Sequence, residues 1–180
     1  MNIQQPTFTP IQYPPAREKE SILNLPIASL VAVAHESLPQ GGNHWSIYLI
    51  ATETDYIRLD MTSSYIVPAT VSPRGSKGIL IVSHVDSSRL CTATKVARLD
   101  VRSGLYVSDF VDLLVRKKRH LYEFNEAGQG CRFGVHDQID HFWDEGLVVD
   151  GRQVEQARSA ILVMYPGLLA YGLVVGEYYS

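Results

Sequence analysis

His44-Trp45-Ser46-Ile47-Tyr48-Leu49-Ile50-Ala51 alternates residue by residue: Trp45, Ile47 and Leu49 face one way, His44, Ser46 and Tyr48 the other. Period-two alternation of this kind marks a strand with one face in a core and one face free to carry polar groups. Thr52 to Asp55 is a short turn, and Tyr56 to Met61 continues the pattern, with Ile57, Leu59 and Met61 opposite Arg58 and Asp60. Two alternating runs joined by a short turn read as an antiparallel hairpin whose apolar faces coincide.

Working outward, Gln40-Gly41-Gly42-Asn43 is a turn, and Pro26 to Ala34, with Ile27, Leu30, Val31 and Val33, is a β-branched run short enough to be a buried strand. Ser72 to Gly78 reads as a loop, Ile79 to Ser83 as a buried strand and Arg89 to Val101 as a long alternating strand. The helical signals come later. Ser108 is a candidate cap, with Asp109 and Asp112 in the first turn and the basic run Arg116 to Arg119 in the last. From Cys131, the residues Val135, Gln138, Ile139, Phe142 and Trp143 recur at helical spacing and stop near Gly146. A further helix is expected over Gln153 to Met164 and a closing strand over Leu168 to Tyr179. The expectation is an α+β protein, a mostly antiparallel sheet packed against helices, forming a single domain over residues 21–180 behind an extended arm over residues 1–20. Pro6, Pro10, Pro14 and Pro15 deny the arm regular structure, so its removal is expected to leave stability nearly unchanged.

Composition narrows the function. The chain has 180 residues, 46% of them hydrophobic, and a net charge of −3, enough for one sizeable core and without the positive field that recruits nucleic acid or acidic membrane. The basic run at the end of one helix has no interleaved aromatics and reads as a solvated terminus. No stretch has the unbroken apolar length of a membrane span, and Met1 to Lys19 lacks the apolar region of a signal peptide. Two cysteines, Cys91 and Cys131, are too few for a disulfide framework, so a reducing, cytoplasmic location is expected. Neither the cysteines nor any histidine pair has metal-ligand spacing, and no cofactor or metal is expected. The expected partner is a small-molecule or acyl substrate; a homodimer is left open.

The chemistry centres on Gly128-Gln129-Gly130-Cys131-Arg132-Phe133, a glycine-rich loop that runs into a helix. In a first helical turn, free backbone N–H groups and the helix dipole favour thiolate over thiol. The same residue lies on the apolar face of its helix, where cysteines are commonly just packed. Partners decide between the two. His136 and His141 share the cysteine's helix at offsets that turn them away; His120 ends the basic helix; His35 and His84 close apolar strands and read as caps or loop residues. His44 is delivered by the Gly-Gly turn onto a polar strand face, and Asp60 faces the same way across the hairpin. Nucleophile, base and orienting carboxylate are then Cys131, His44 and Asp60.

Asn43-His44-Trp45-Ser46-Ile47-Tyr48-Leu49, Ile57-Arg58-Leu59-Asp60-Met61 and Gly128 to Phe133 resemble, over about Ala28 to Val149, a family of small fungal proteins of unassigned function with an Asn-His-Trp-Ser strand and a Gly-Cys-Arg-aromatic helix start. In layout the chain also resembles the permuted papain-like thiol enzymes, such as the lecithin:retinol acyltransferase branch, where the histidine strand precedes the nucleophile helix. The resemblance implies a permuted papain-like fold and the same three residues, with Gln129 and the Cys131 backbone N–H forming an oxyanion hole. Two positions depart from it: Gly134 stands where a second aromatic is expected, and Asp60 where the acyltransferase branch has histidine. The implied function is a cysteine-dependent hydrolase or acyltransferase working on an acyl, ester or amide bond through a thioester, in fungal secondary metabolism. The alternative is a non-hydrolytic cyclase, isomerase or binding protein. There the same cleft would hold a ligand among Trp45, Tyr48, Phe133 and Trp143, with Arg58 on its polar side.

Overall fold

The computed structural model describes residues 7–180. It is an α+β fold built on one eight-stranded, mostly antiparallel sheet. The strands in chain order are β1 (Ile11–Gln12), β2 (Ser29–Ser37), β3 (Asn43–Ile50), β4 (Tyr56–Pro68), β5 (Ser76–Val85), β6 (Lys95–Asp100), β7 (Tyr122–Phe124) and β10 (Glu177–Tyr178), while β8 (Val163–Met164) and β9 (Leu169–Ala170) form a separate ribbon. Across the sheet the order is β10-β7-β5-β4-β3-β2-β6, with β1 parallel to β5. Helices α1 (Lys19–Leu23), α3 (Val107–Arg116), α4 (Cys131–Asp144) and α5 (Gly151–Ile161) are longer than or comparable to α2 (Ser88–Cys91), a single turn between β5 and β6.

Alternation explains the layering. Leu30, Ala32 and Ala34 of β2, Trp45, Ile47 and Leu49 of β3, and Ile57, Leu59 and Met61 of β4 all face one core, which Phe110, Leu114, Val135, Ile139, Phe142 and Val154 close from the helices. The register keeps these faces together, Ala32 opposite Ile47 and Ile47 opposite Leu59. On the reverse face a smaller cluster of Val31, Val33 and Tyr48 is covered by Leu90 and Ala93, from the α2 turn and the residues after it. Ile50, Tyr56 and Val85 pack around this cluster, and polar side chains such as His44, Arg58 and Asp60 share the same face.

Several elements differ from the sequence reading. Arg89 to Val101 is not one strand. Asp86 Oδ1 accepts from the Ser88 N–H at 2.9 Å, turning the chain into α2, and the strand begins only at Lys95. Local side-chain capture of a backbone N–H here overrides the alternating pattern. Ser108 is not the cap: the helix starts at Val107 with Tyr106 as its cap, and Asp109 accepts from the Tyr106 N–H at 2.7 Å. Leu168 to Tyr179 is no single closing strand: it makes β9, runs without regular structure, and then makes β10. The arm is also corrected. Its first six residues lie outside the described ones, but Leu80 N–H donates to Pro10 O at 2.8 Å, β1 pairs with Leu80 and Ile81, and Ile11 and Tyr13 pack on the main core. Prolines at 10, 14 and 15 leave Ile11 and Gln12 free to pair, because a proline flanking a strand blocks only its own N–H. The arm therefore joins the domain rather than preceding it.

Candidate active site

The β2–β3 turn sets the site. Gly41 and Gly42 take φ of +97° and +75°, and a Cβ on Gly41 would stand 2.4 Å from the Tyr171 hydroxyl oxygen. Only a glycine meets both demands. Past the turn, the fully buried Asn43 accepts from the Tyr165 N–H at 2.8 Å and donates to the carbonyls of Tyr165 at 3.0 Å and His35 at 2.8 Å. These three bonds fix the start of β3 opposite an irregularity in β2 between Ala34 and Ser37.

His44 follows directly. Its Nε2–H donates to Asp60 Oδ1 at 2.6 Å, and Asp60 Oδ2 accepts from Arg58 at 2.8 Å. Arg58 Nε donates to Ser46 Oγ at 3.3 Å, which in turn bonds His35 Nε2 at 2.8 Å. Close to the His44 ring is Cys131, the first residue of α4, itself only 5% exposed. The Cys131 thiol is near enough to the imidazole to stabilise its charged form, although its aligned contact goes to the Asn43 carbonyl at 4.0 Å, the outer limit for sulfur. Gly130 precedes it at φ +144°, with its carbonyl accepting from the Tyr122 hydroxyl at 2.7 Å. A Cβ there would meet the Tyr122 hydroxyl oxygen at 2.8 Å, so the loop can enter the helix this way only with glycine.

Charge is distributed unevenly. Burial is the largest single influence on His44 and opposes its protonation, but the hydrogen bonds and negative charges of Asp60 and Cys131 together outweigh it and raise its pKa to about 10. Burial likewise favours protonated Asp60, yet His44 and Arg58 hold its carboxyl below the usual range. His35 goes the other way. Burial first, then the charges of Arg58, His44 and Arg89, lower it to about 4, so it stays neutral near pH 7.

The structure therefore brings Cys131, His44 and Asp60 together. Gln129 borders the thiol, but its side-chain amide donates to Gln40 O at 3.1 Å and accepts from Asn125 at 3.2 Å, tying the loop to the β2–β3 turn. Tyr48 and Arg58 line the cleft beside His44. Trp45 does not: as the residue after His44 it must face the opposite side of the sheet, and it is fully buried in the core with its ring edge-on to Tyr165. Phe133, about 200° around the helix from Cys131, packs beside Tyr178 instead. Trp143 sits at the far end of α4, partly exposed against Gly151. His35 is not a cap or loop residue; it lies within β2 with its ring stacked 5.9 Å from that of His44. Among the described residues no group of three or more His, Cys, Asp or Glu has the arrangement to hold a metal ion, and no helix is long and apolar enough to cross a membrane.

Fold and site together define an α+β protein with a cysteine, histidine and aspartate assembled at the start of a helix. Residues 29–179 match the family described as Domain of unknown function (DUF7770), and the chain belongs to that family. No curated protein and no solved structure matches the chain.

Proposed function

We propose that this protein is a cysteine-dependent hydrolase or acyltransferase with a permuted papain-like arrangement, in which Cys131 is the nucleophile, His44 the base and Asp60 the residue that orients it. The observation that carries the reading is the His44 ring, bonded to Asp60 at 2.6 Å with the Cys131 thiol close by. An imidazole whose charged form is favoured, set close to a thiol at a helix N-terminus, is the arrangement in which a cysteine serves as nucleophile.

The chemistry proceeds in two transfers. The thiolate sulfur attacks the substrate carbonyl carbon, a C–S bond forms, and the carbonyl electrons move onto oxygen, where the first-turn N–H groups of α4 can receive them. The oxyanion collapses, the bond to the leaving group breaks, and the imidazolium gives that group its proton. Neutral His44 then takes a proton from water, an alcohol or an amine as that acceptor attacks the thioester. Collapse of the second oxyanion expels the thiolate and restores the ion pair. Asp60 keeps the ring in place and offsets its charge throughout.

The test is alkylation by iodoacetamide in a Cys91→Ser background across pH 5 to 10, with turnover of activated esters measured in parallel. Cys131 labelling that stays fast well below pH 8.5 and slows in His44→Ala supports the reading. A thiol that labels no faster than free cysteine, with ester turnover unchanged in Cys131→Ser, would falsify it and leave the cleft to a non-hydrolytic ligand.

A further inference from the structure

Beside the cysteine and histidine lies a cleft of about 390 Å³ whose walls are His44 and Asp60, the β3–β4 side chains Tyr48, Arg58 and Thr62, and the α2 turn with Arg89 and Thr92. It shares Leu38 with the small pocket that holds the Cys131 thiol. The cations along its walls are unequally paired. His44, Arg58 and Arg89 are positive; Asp60 and Glu36 are negative, and the Asp60 carboxylate is already divided between His44 and Arg58. Arg89 is exposed and has no ion-pair partner among the described residues. His35, half-buried in the same wall, feels these cations: after burial, Arg58, His44 and Arg89 oppose its protonation, against Asp60, which favours it.

We propose that this cleft binds a carboxylate carried by the acyl substrate, with Arg89 as the principal contact and the hydroxyls of Tyr48, Thr62 and Thr92 as secondary donors. The proposal rests on the thiol-enzyme reading, because the Arg89 cleft and the Cys131 pocket adjoin at Leu38. A guanidinium fork matches the two oxygens of a carboxylate. With His44 and Arg58 both paired to Asp60, the cation left for a ligand is Arg89, which suits a singly charged group; a phosphate carries about −1.5 to −2 at pH 7 and would leave negative charge uncompensated in a partly enclosed site. The substrate class is an acyl compound with a second, free carboxylate, such as a dicarboxylic monoester or an N-acyl amino acid, and not a neutral long-chain acyl group.

Iodoacetate and iodoacetamide test this, because both alkylate a thiolate by displacing iodide and they differ by a carboxylate in place of an amide. In Cys91→Ser protein, the ratio of the iodoacetate to the iodoacetamide rate at Cys131 should exceed the ratio for glutathione by about tenfold, the lower end of what focused charge gives. It should fall toward the glutathione value in Arg89→Gln and stay put in Arg74→Gln, whose arginine pairs with Glu126 outside the cleft. A ratio equal to that of glutathione, or one indifferent to Arg89→Gln, overturns the carboxylate site and leaves the thiol reading standing. If neither reagent labels Cys131, the thiol reading fails, and the cleft is decided by NMR titration with glutarate and glutaramide at equal ionic strength. Shifts of the His35 ring with glutarate alone, abolished by Arg89→Gln, uphold an anion site; equal or absent shifts overturn it.

Discussion

The rings of His35 and His44 stack 5.9 Å apart and hold opposite charge states. His44 has the Asp60 carboxylate against one nitrogen, whereas burial and the nearby cations depress His35, whose partner is only the hydroxyl of Ser46, so the two neighbouring imidazoles are driven apart. Stability should therefore decline on both sides of neutrality. His44 binds its proton more tightly folded than unfolded, so its contribution is complete below its ordinary 6.5 and is lost as pH rises through about 10. His35 binds its proton less tightly folded, so its contribution is present above 6.5 and is lost as pH falls through about 4, with the depressed Asp60 adding to the loss below 3.8. Urea midpoints measured from pH 3 to 10.5 should show a dome; His44→Gln should flatten its alkaline limb and His35→Gln its acid limb. A wild-type midpoint that keeps rising to pH 10.5 contradicts the assignment.

Asp60 is held by both His44 and Arg58 and is mostly buried, so its loss differs from the loss of a surface carboxylate. Asp60→Asn keeps the shape and removes the charge. Turnover should drop about 10- to 100-fold, a part of what general-base catalysis supplies, and the pH at which Cys131 becomes reactive should rise. Cys131→Ser and His44→Ala should each cost about 10²- to 10⁴-fold, and the double variant hardly more, since groups acting as a unit are not additive. Single-turnover kinetics on an activated ester reads all four. Independent, multiplying effects of the two single changes would mean that cysteine and histidine do not act together.

The arm carries a stability prediction of its own. Removing residues 1–16 takes away the Leu80 to Pro10 hydrogen bond and the contacts of Ile11 and Tyr13 with the core. Partial burial of two large side chains and one backbone bond together contribute about 2–4 kcal/mol, several degrees in melting temperature for a chain of this size. An unchanged melting temperature would mean that β1 docks without stabilising the sheet.

What was legible in the sequence follows from where the physics is local. The His44 and Tyr56 strands declared their faces through period-two alternation, and with them the Cys131, His44 and Asp60 constellation, because Gly130 and the helix start are also local signals. Trp45 was legible too: the parity that turned His44 to the polar face required Trp45 to be core. His35 shares its face with Val31 and Val33, and a β2–β3 pairing across the Gly41-Gly42 turn brings it beside His44, a signal available in the alternation but readable only with the register. Arg132 and Tyr171 could not be found this way. Their contact joins positions far apart along the chain, and nothing near either residue announces it.

That contact governs access to the thiol. Arg132 is buried with no carboxylate against it; its guanidinium donates instead to the carbonyls of Ile161, Tyr171 and Gly172 and lies 4.8 Å from the Tyr171 ring centre. The Tyr171 hydroxyl donates to Gln40 O at 3.3 Å, so the irregular segment after β9 is tied down over the β2–β3 turn. Beneath it the pocket beside Cys131 measures about 20 Å³, room for about one water. A substrate carbonyl does not fit there until this segment lifts. Tyr171→Ala removes the ring and the hydroxyl tie while sparing the Arg132 bonds to backbone, and should speed iodoacetamide labelling of Cys131 by about tenfold if opening costs about 1.4 kcal/mol less. Arg132→Met removes a charge whose hydrogen bonds hold three carbonyls and should also speed labelling, at a stability cost of about 2–4 kcal/mol. Labelling rates set against urea midpoints separate the two effects: Tyr171→Ala should change the rate far more than the midpoint. Unchanged labelling in Tyr171→Ala would show that the segment after β9 does not limit access to the thiol.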